Sequence, residues 1–118
     1  MTALLIVDHG SRRAEANLML ENVVHLLRQK RADLIIHMAH MELAEPSIEQ
    51  GVQACVQEGA TEIIVHPYML SPGRHATQDI PQLAREAAKQ FPNITLTTTA
   101  PLGLHEKLAE VVLERANL

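Results

Sequence analysis

Cysteine occurs once, at Cys55, tryptophan is absent, and tyrosine and phenylalanine appear once each. One cysteine excludes an internal disulfide and any CxxC metal or redox motif, and it fits a reducing compartment. With aromatics at 2 %, platforms for stacking bases are nearly missing, and a net charge of −4 argues against a broad nucleic-acid footprint. No apolar run approaches a membrane span, and the N-terminus lacks a basic region followed by a long apolar segment. No HExxH, P-loop or GxGxxG stands anywhere in the chain, and no linker, repeat or low-complexity segment divides it. What remains is 118 residues, 47 % of them hydrophobic, which points to one cytoplasmic domain over residues 1–118, or a plastid stromal one if a transit peptide was removed.

The apolar pattern sets the fold class. Ala3 to Val7 is an unbroken aliphatic run, as expected of a parallel strand covered on both faces. Ser11 is placed to cap a helix starting near Arg12 or Arg13, with Leu20, Val23, Val24 and Leu27 at helical spacing up to about Lys30. A second strand is expected over Leu34–Met41. A second helix follows from Glu45-Pro46-Ser47, with Pro46 in its first turn and Ile48, Val52, Cys55 and Val56 inward, and Gly59 stops it. Thr61 to His66 reads as the third strand, and helical character recovers near Gln78, with Ile80, Leu83, Ala84, Ala87 and Phe91 on one side. Ile94 to Thr98 is a fourth strand. Leu108, Val111 and Val112 are expected to anchor a last helix. This alternation predicts an α/β fold: a three-layer α/β/α arrangement around a four-stranded parallel sheet.

In such a sheet the carboxyl ends of the strands share one edge, where ligands bind. That edge collects His9 from the first strand, His40 and Glu42 from the second, and His66 from the third. His75 lies further along the loop His66–Asp79 (HPYMLSPGRHATQD), and His105 follows the fourth strand. Imidazole is both a ligand for first-row divalent metals and a base near neutral pH, and a carboxylate beside it orients the ring or completes coordination. Glu42 sits between Met41 and Leu43, where an unpaired carboxylate is costly. His25 on a helix and His37 inside a strand read as structural, and His66 and His105 each have an ordinary reading as element ends. Gly10-Ser11 before a helix offers backbone N–H groups to an anion, with Arg12, Arg13 and Arg74 adding positive charge.

Four segments carry a family likeness: DHGSRR at 8–13, AHMELAEPSI at 39–48, HPYMLSPGRHATQDIP at 66–81 and APLGLH at 100–105. Together they resemble the sirohydrochlorin chelatases, the small class II tetrapyrrole chelatases, most of all the plant and cyanobacterial ferrochelatases. The likeness spans nearly the whole chain and implies a flavodoxin-like chelatase half-unit. It implies insertion of Fe²⁺ into sirohydrochlorin to make siroheme, with two protons released. His9 and His75 would be metal ligands and proton acceptors, with Glu42 the carboxylate between them. Ser11, Arg12, Arg13, Gly73 and Arg74 would meet the ring's carboxylates, and Tyr68, Met69 and Leu70 its apolar face. The metal would be a substrate rather than a permanently bound cofactor, and the chain would pair as a homodimer. Asp8, where many members have glycine, adds a carboxylate next to His9. Cobalt insertion for cobalamin, a non-catalytic metal or tetrapyrrole carrier, and a phosphate-binding module built on Gly10-Ser11 are the competing readings.

Overall fold

A computed structural model of the protein describes residues 1–118. Strand β1 (Thr2–Asp8) is followed by α1 (Ala14–Lys30), β2 (Ile35–His40), α2 (Ile48–Gln57) and β3 (Glu62–Pro67). A π-helical turn, His75–Asp79, then runs directly into α3 (Ile80–Ala88), before β4 (Thr95–Thr98) and α4 (Glu106–Arg115). All four strands are parallel, in the order β2-β1-β3-β4. This is the flavodoxin-like order with four strands, and its topological switch point lies between β1 and β3.

Strand alternation divides the core between two faces. Ala3, Leu5 and Val7 of β1 point to one side, where Ile48, Val52 and Cys55 of α2 and Ile80, Ala84 and Ala87 of α3 close over them. Ile6 points to the other and meets Leu20 and Val24 of α1, with Ile36 of β2 beside them. The expected three layers are therefore present.

Local starts and stops differ from the sequence expectations in three places. Ser11 does not cap α1; its Oγ accepts the Arg13 N–H (3.0 Å), and the helix begins at Ala14, just past the expected Arg12 or Arg13. Pro46 is outside α2, because Ser47 is the cap: its Oγ accepts the Gln50 N–H (3.2 Å) while Gln50 Oε1 accepts the Ser47 N–H (2.8 Å), a reciprocal capping box. Helical backbone resumes at His75, not near Gln78.

The larger correction concerns α4. Its helical spacing is real, yet none of its residues is buried, and Val111 and Val112 are 42 % and 66 % exposed. It makes no extensive contact with any other element. Val111 and Val112 thus stay largely exposed, and only Leu108, ahead of them in the helix, is partly covered.

Candidate functional site

The site is built first by backbone. Beyond the ends of β1 and β2 the parallel pairing continues for two more bonds, Met41 N–H to Asp8 O (2.9 Å) and Glu42 N–H to His9 O (3.1 Å). Those bonds bring Glu42 alongside His9. Gly10 makes the approach possible: its φ is +94°, and a Cβ there would sit 1.8 Å from the Glu42 carbonyl oxygen. Only a residue without a side chain fits.

His9 Nε2 lies 3.3 Å from Glu42 Oε1, with both side chains about half exposed. On its other side, His9 Nδ1 faces the Gly10 carbonyl at 3.3 Å. The Gly10 carbonyl and the Glu42 carboxylate both only accept, so the neutral ring, with one N–H, can satisfy one of them at a time. With the proton on Nδ1, a cation at Nε2 would meet both the ring and the carboxylate.

His75 approaches from the far side of the switch point, in the π-helical turn after the β3 loop. Its ring centroid is 4.9 Å from that of His9, with the planes at 70°. Its Nδ1 donates to Asp79 Oδ2 at 2.8 Å, which leaves Nε2 open. Such single π turns recur at functional sites. No three His, Cys, Asp or Glu side chains converge tightly enough to close a metal cage on their own. The arrangement therefore offers two open imidazoles and a neighbouring carboxylate, an unfinished ligand set.

Asp8 and His40 turn out to be a pair. They are direct partners in the β1–β2 register, and His40 Nδ1 lies 2.6 Å from Asp8 Oδ1. The His40 side chain is wholly buried, so this imidazole cannot be a ligand at the cleft surface. Asp8 spends its carboxylate there, not on His9, its neighbour in sequence.

The other expected residues form a shallower surround. Tyr68, Met69 and Leu70 line an open depression of about 510 Å³, together with His9, Gly10, Ser11, Met19, Leu102 and Leu108. Arg12, Arg13, Gly73 and Arg74 are exposed and lie outside that lining. The loop at Ser11 is held by Asn17, whose Oδ1 accepts the Ser11 N–H (3.0 Å) and whose Nδ2 donates to the Ser11 carbonyl (2.7 Å). Asn17 and Asp79 were not singled out from sequence; His75 and Asp79 stand at i,i+4, a spacing that a helix starting at His75 would have revealed.

The remaining histidines have local duties. His66 Nδ1 meets Thr99 Oγ1 at 2.9 Å, and burial pushes its pKa below the ordinary 6.5. His105 caps α4 by accepting the Lys107 N–H (3.1 Å). His37 pairs with Glu58 (3.0 Å), and His25 with Gln29 one helical turn on.

The model of the family described as CbiX matches residues 3–117. The chain belongs to the CbiX family. Among curated proteins it is 52 % identical over 112 residues to a chloroplastic sirohydrochlorin ferrochelatase of Arabidopsis thaliana, covering 95 % of this chain and 50 % of that one. The Bacillus subtilis SirB structure with Fe³⁺ superposes with a TM-score of 0.89 at 32 % identity, over 97 % of this chain and 45 % of SirB. A sirohydrochlorin chelatase SirB from Bacillus subtilis subspecies spizizenii in complex with cobalt gives 0.91 at 34 %, over 98 % and 50 %. The chain thus spans about half the length of these three relatives. No helix is long and apolar enough to cross a membrane.

Proposed function

We propose that residues 1–118 form one chelatase unit that inserts Fe²⁺ into sirohydrochlorin, yielding siroheme and two protons. The observation that carries this reading is the approach of Glu42, from beyond β2, and His75, from the π-helical turn after β3, to His9 just beyond β1, with His9 lining an apolar depression. The reaction needs a site that strips water from a divalent ion, holds it loosely, and accepts a proton from each of two pyrrole N–H groups. His9 and His75 hold the metal through Nε2. As the ring nitrogens replace the imidazoles on the metal, Glu42, 3.3 Å from His9, takes up one pyrrole proton and a freed imidazole of His9 or His75 takes the other. Tyr68, Met69 and Leu70 support one face of the macrocycle; Ser11, Arg12, Arg13, Arg74 and the Gly73 backbone meet its carboxylates. The metal passes through as substrate, and no permanent cofactor is part of the scheme.

Cobalt is the second reading, favoured by the cobalt complex of a SirB that superposes so closely. Imidazole and carboxylate do not discriminate strongly among first-row divalent ions. We further propose a homodimer, supported by the exposed Val111 and Val112 on α4. The reaction belongs in a reducing aqueous compartment, the cytoplasm or the plastid stroma, in keeping with the chloroplastic relative.

The test is anaerobic metallation of sirohydrochlorin followed by visible absorbance, with Fe²⁺, Co²⁺ and Ni²⁺ against an enzyme-free blank. Insertion faster than the blank, lost in His9→Ala/His75→Ala and kept in His25→Ala, is the expected result. Tight binding of metal or ring with no acceleration for any metal replaces the enzyme by a carrier.

A further inference from the structure

Of the two imidazoles at the cleft, His75 has its orientation set by a single side chain. Its Nδ1 is 2.8 Å from Asp79 Oδ2. Carboxylate oxygens only accept, so the neutral ring carries its proton on Nδ1 and keeps the Nε2 lone pair free. Without such a partner, neutral imidazole exchanges between two tautomers, and only one of them presents Nε2 to a metal.

The backbone around the pair is built to keep it. Ile80 N–H bonds the His75 carbonyl across the π turn, while the Thr77 N–H (3.0 Å) and hydroxyl (2.9 Å) both donate to the Gly73 carbonyl. These bonds set His75 and Asp79 one above the other. The second Asp79 oxygen stands 4.0 Å from Arg74 Nε, and that arginine side chain is 80 % exposed. An exposed contact at that distance holds little. The strong bond of Asp79 is therefore the one to His75, and Arg74 stays available.

We infer that Asp79 is a positioning residue that locks His75 in the Nδ1–H tautomer and aims Nε2 at the metal. The inference deepens the proposed function, resting on its reading of His75 as a ligand. Loss of a carboxylate behind a ligating imidazole typically costs ~10–100-fold in metal affinity or activity. An Asp79 that merely favoured the helix start would alter stability and leave the tautomer and the metal untouched.

Two readouts on the metal-free full chain separate these cases. Long-range ¹H–¹⁵N correlation spectra at mildly alkaline pH report which His75 nitrogen carries the proton, and Co²⁺ titration reports affinity. In Asp79→Asn the amide either accepts from Nδ1 or donates to it, so both tautomers become accessible; Asp79→Glu retains a carboxylate within reach. Wild type with Nδ1–H, a shift toward Nε2–H in Asp79→Asn, Co²⁺ affinity ~10–100-fold lower at an unchanged melting temperature, and recovery in Asp79→Glu is the expected set. A wild-type His75 protonated mainly on Nε2 overturns the inference. Co²⁺ affinity that falls in His75→Ala but holds in Asp79→Asn overturns the positioning role and leaves the site standing. If His75→Ala itself binds Co²⁺ as wild type does, the ligand reading falls, and Asp79's role with it.

Discussion

Gly10→Ala tests the packing at the base of the site. The new Cβ would stand 1.8 Å from the Glu42 carbonyl oxygen, where real contacts begin near 3.0 Å, so the β1 and β2 ends must part by at least an ångström. The bond from Glu42 N–H to His9 O, 3.1 Å at present, cannot survive that, and its neighbour from Met41 N–H to Asp8 O is strained along with it. Two backbone bonds at about 1 kcal/mol each, plus about 1–2 kcal/mol for alanine at positive φ, give a loss of about 3–4 kcal/mol. For a domain of this size that lowers the melting temperature by roughly 10–16 °C. Gly59→Ala is the control: φ is +100° there but nothing lies within 4 Å, so only the backbone cost of about 1–2 kcal/mol applies. Gly73→Ala, with open space and no positive φ, is expected to be neutral or slightly stabilising. The assay is thermal unfolding by circular dichroism, with Co²⁺ titration beside it, since parting the strands also parts His9 from Glu42. A Gly10→Ala protein that melts together with Gly59→Ala, and binds Co²⁺ as wild type does, refutes the claim that this contact sets the site.

Two further outcomes follow from burial. His66 is held below its ordinary pKa of 6.5 by desolvation, so its contribution to stability is complete above pH 6.5 and is lost as pH falls through the folded value; urea midpoints measured downward from pH 7 should decline less steeply in His66→Gln than in wild type. Burial pushes the Cys55 thiol up from 9.0 to about 12, so at neutral pH a thiol reagent should label the native chain no faster than the chain unfolds, and stability should drop as pH climbs from 9.0 toward about 12; rapid native labelling would contradict the packing of α2 on the sheet.

The strands that center the fold were the readable ones. Ala3–Val7 and Ile63–Val65 are continuous aliphatic runs because both their faces are covered, and no amphipathic helix shares that pattern. Once they are parallel, their carboxyl ends must lie on one edge, so His9, Glu42 and His75 could be grouped despite the distance between them in sequence. What escaped was geometry fixed by tertiary partners. Asp8 reads as a companion of His9, but side chains alternate along a strand and register hands Asp8 to His40. The π turn escaped because Pro72 and Gly73 announce a loop, while the bonds that wind His75–Asp79 come from Thr77 and Ile80. Ser11 has the chemistry of a cap, yet Asn17 clamps its peptide from six residues away and delays the helix. The last helix was legible as a helix; its lack of a partner was not, because periodicity says which face is apolar and nothing about what covers it.

That missing partner bears on the chemistry. His9 and His75 are nearly half exposed, 45 % and 49 %, and the apolar residues beside them wall only one side of an open depression. On the proposed reading, a site this open would leave water free to compete for the metal and one face of the macrocycle wet, and both would weaken the electrostatics that metallation depends on. A second unit facing the first would supply the other wall, and it would also cover the exposed Val111 and Val112 on α4. On the proposed reading that second unit is another copy. Activity should then depend on protein concentration more steeply than in a two-lobed chelatase, with the rate per chain falling on dilution through the dissociation range. A rate per chain that stays constant while sedimentation reports monomers would mean that one unit suffices, and that the open side of the cleft is how the large ring enters and leaves.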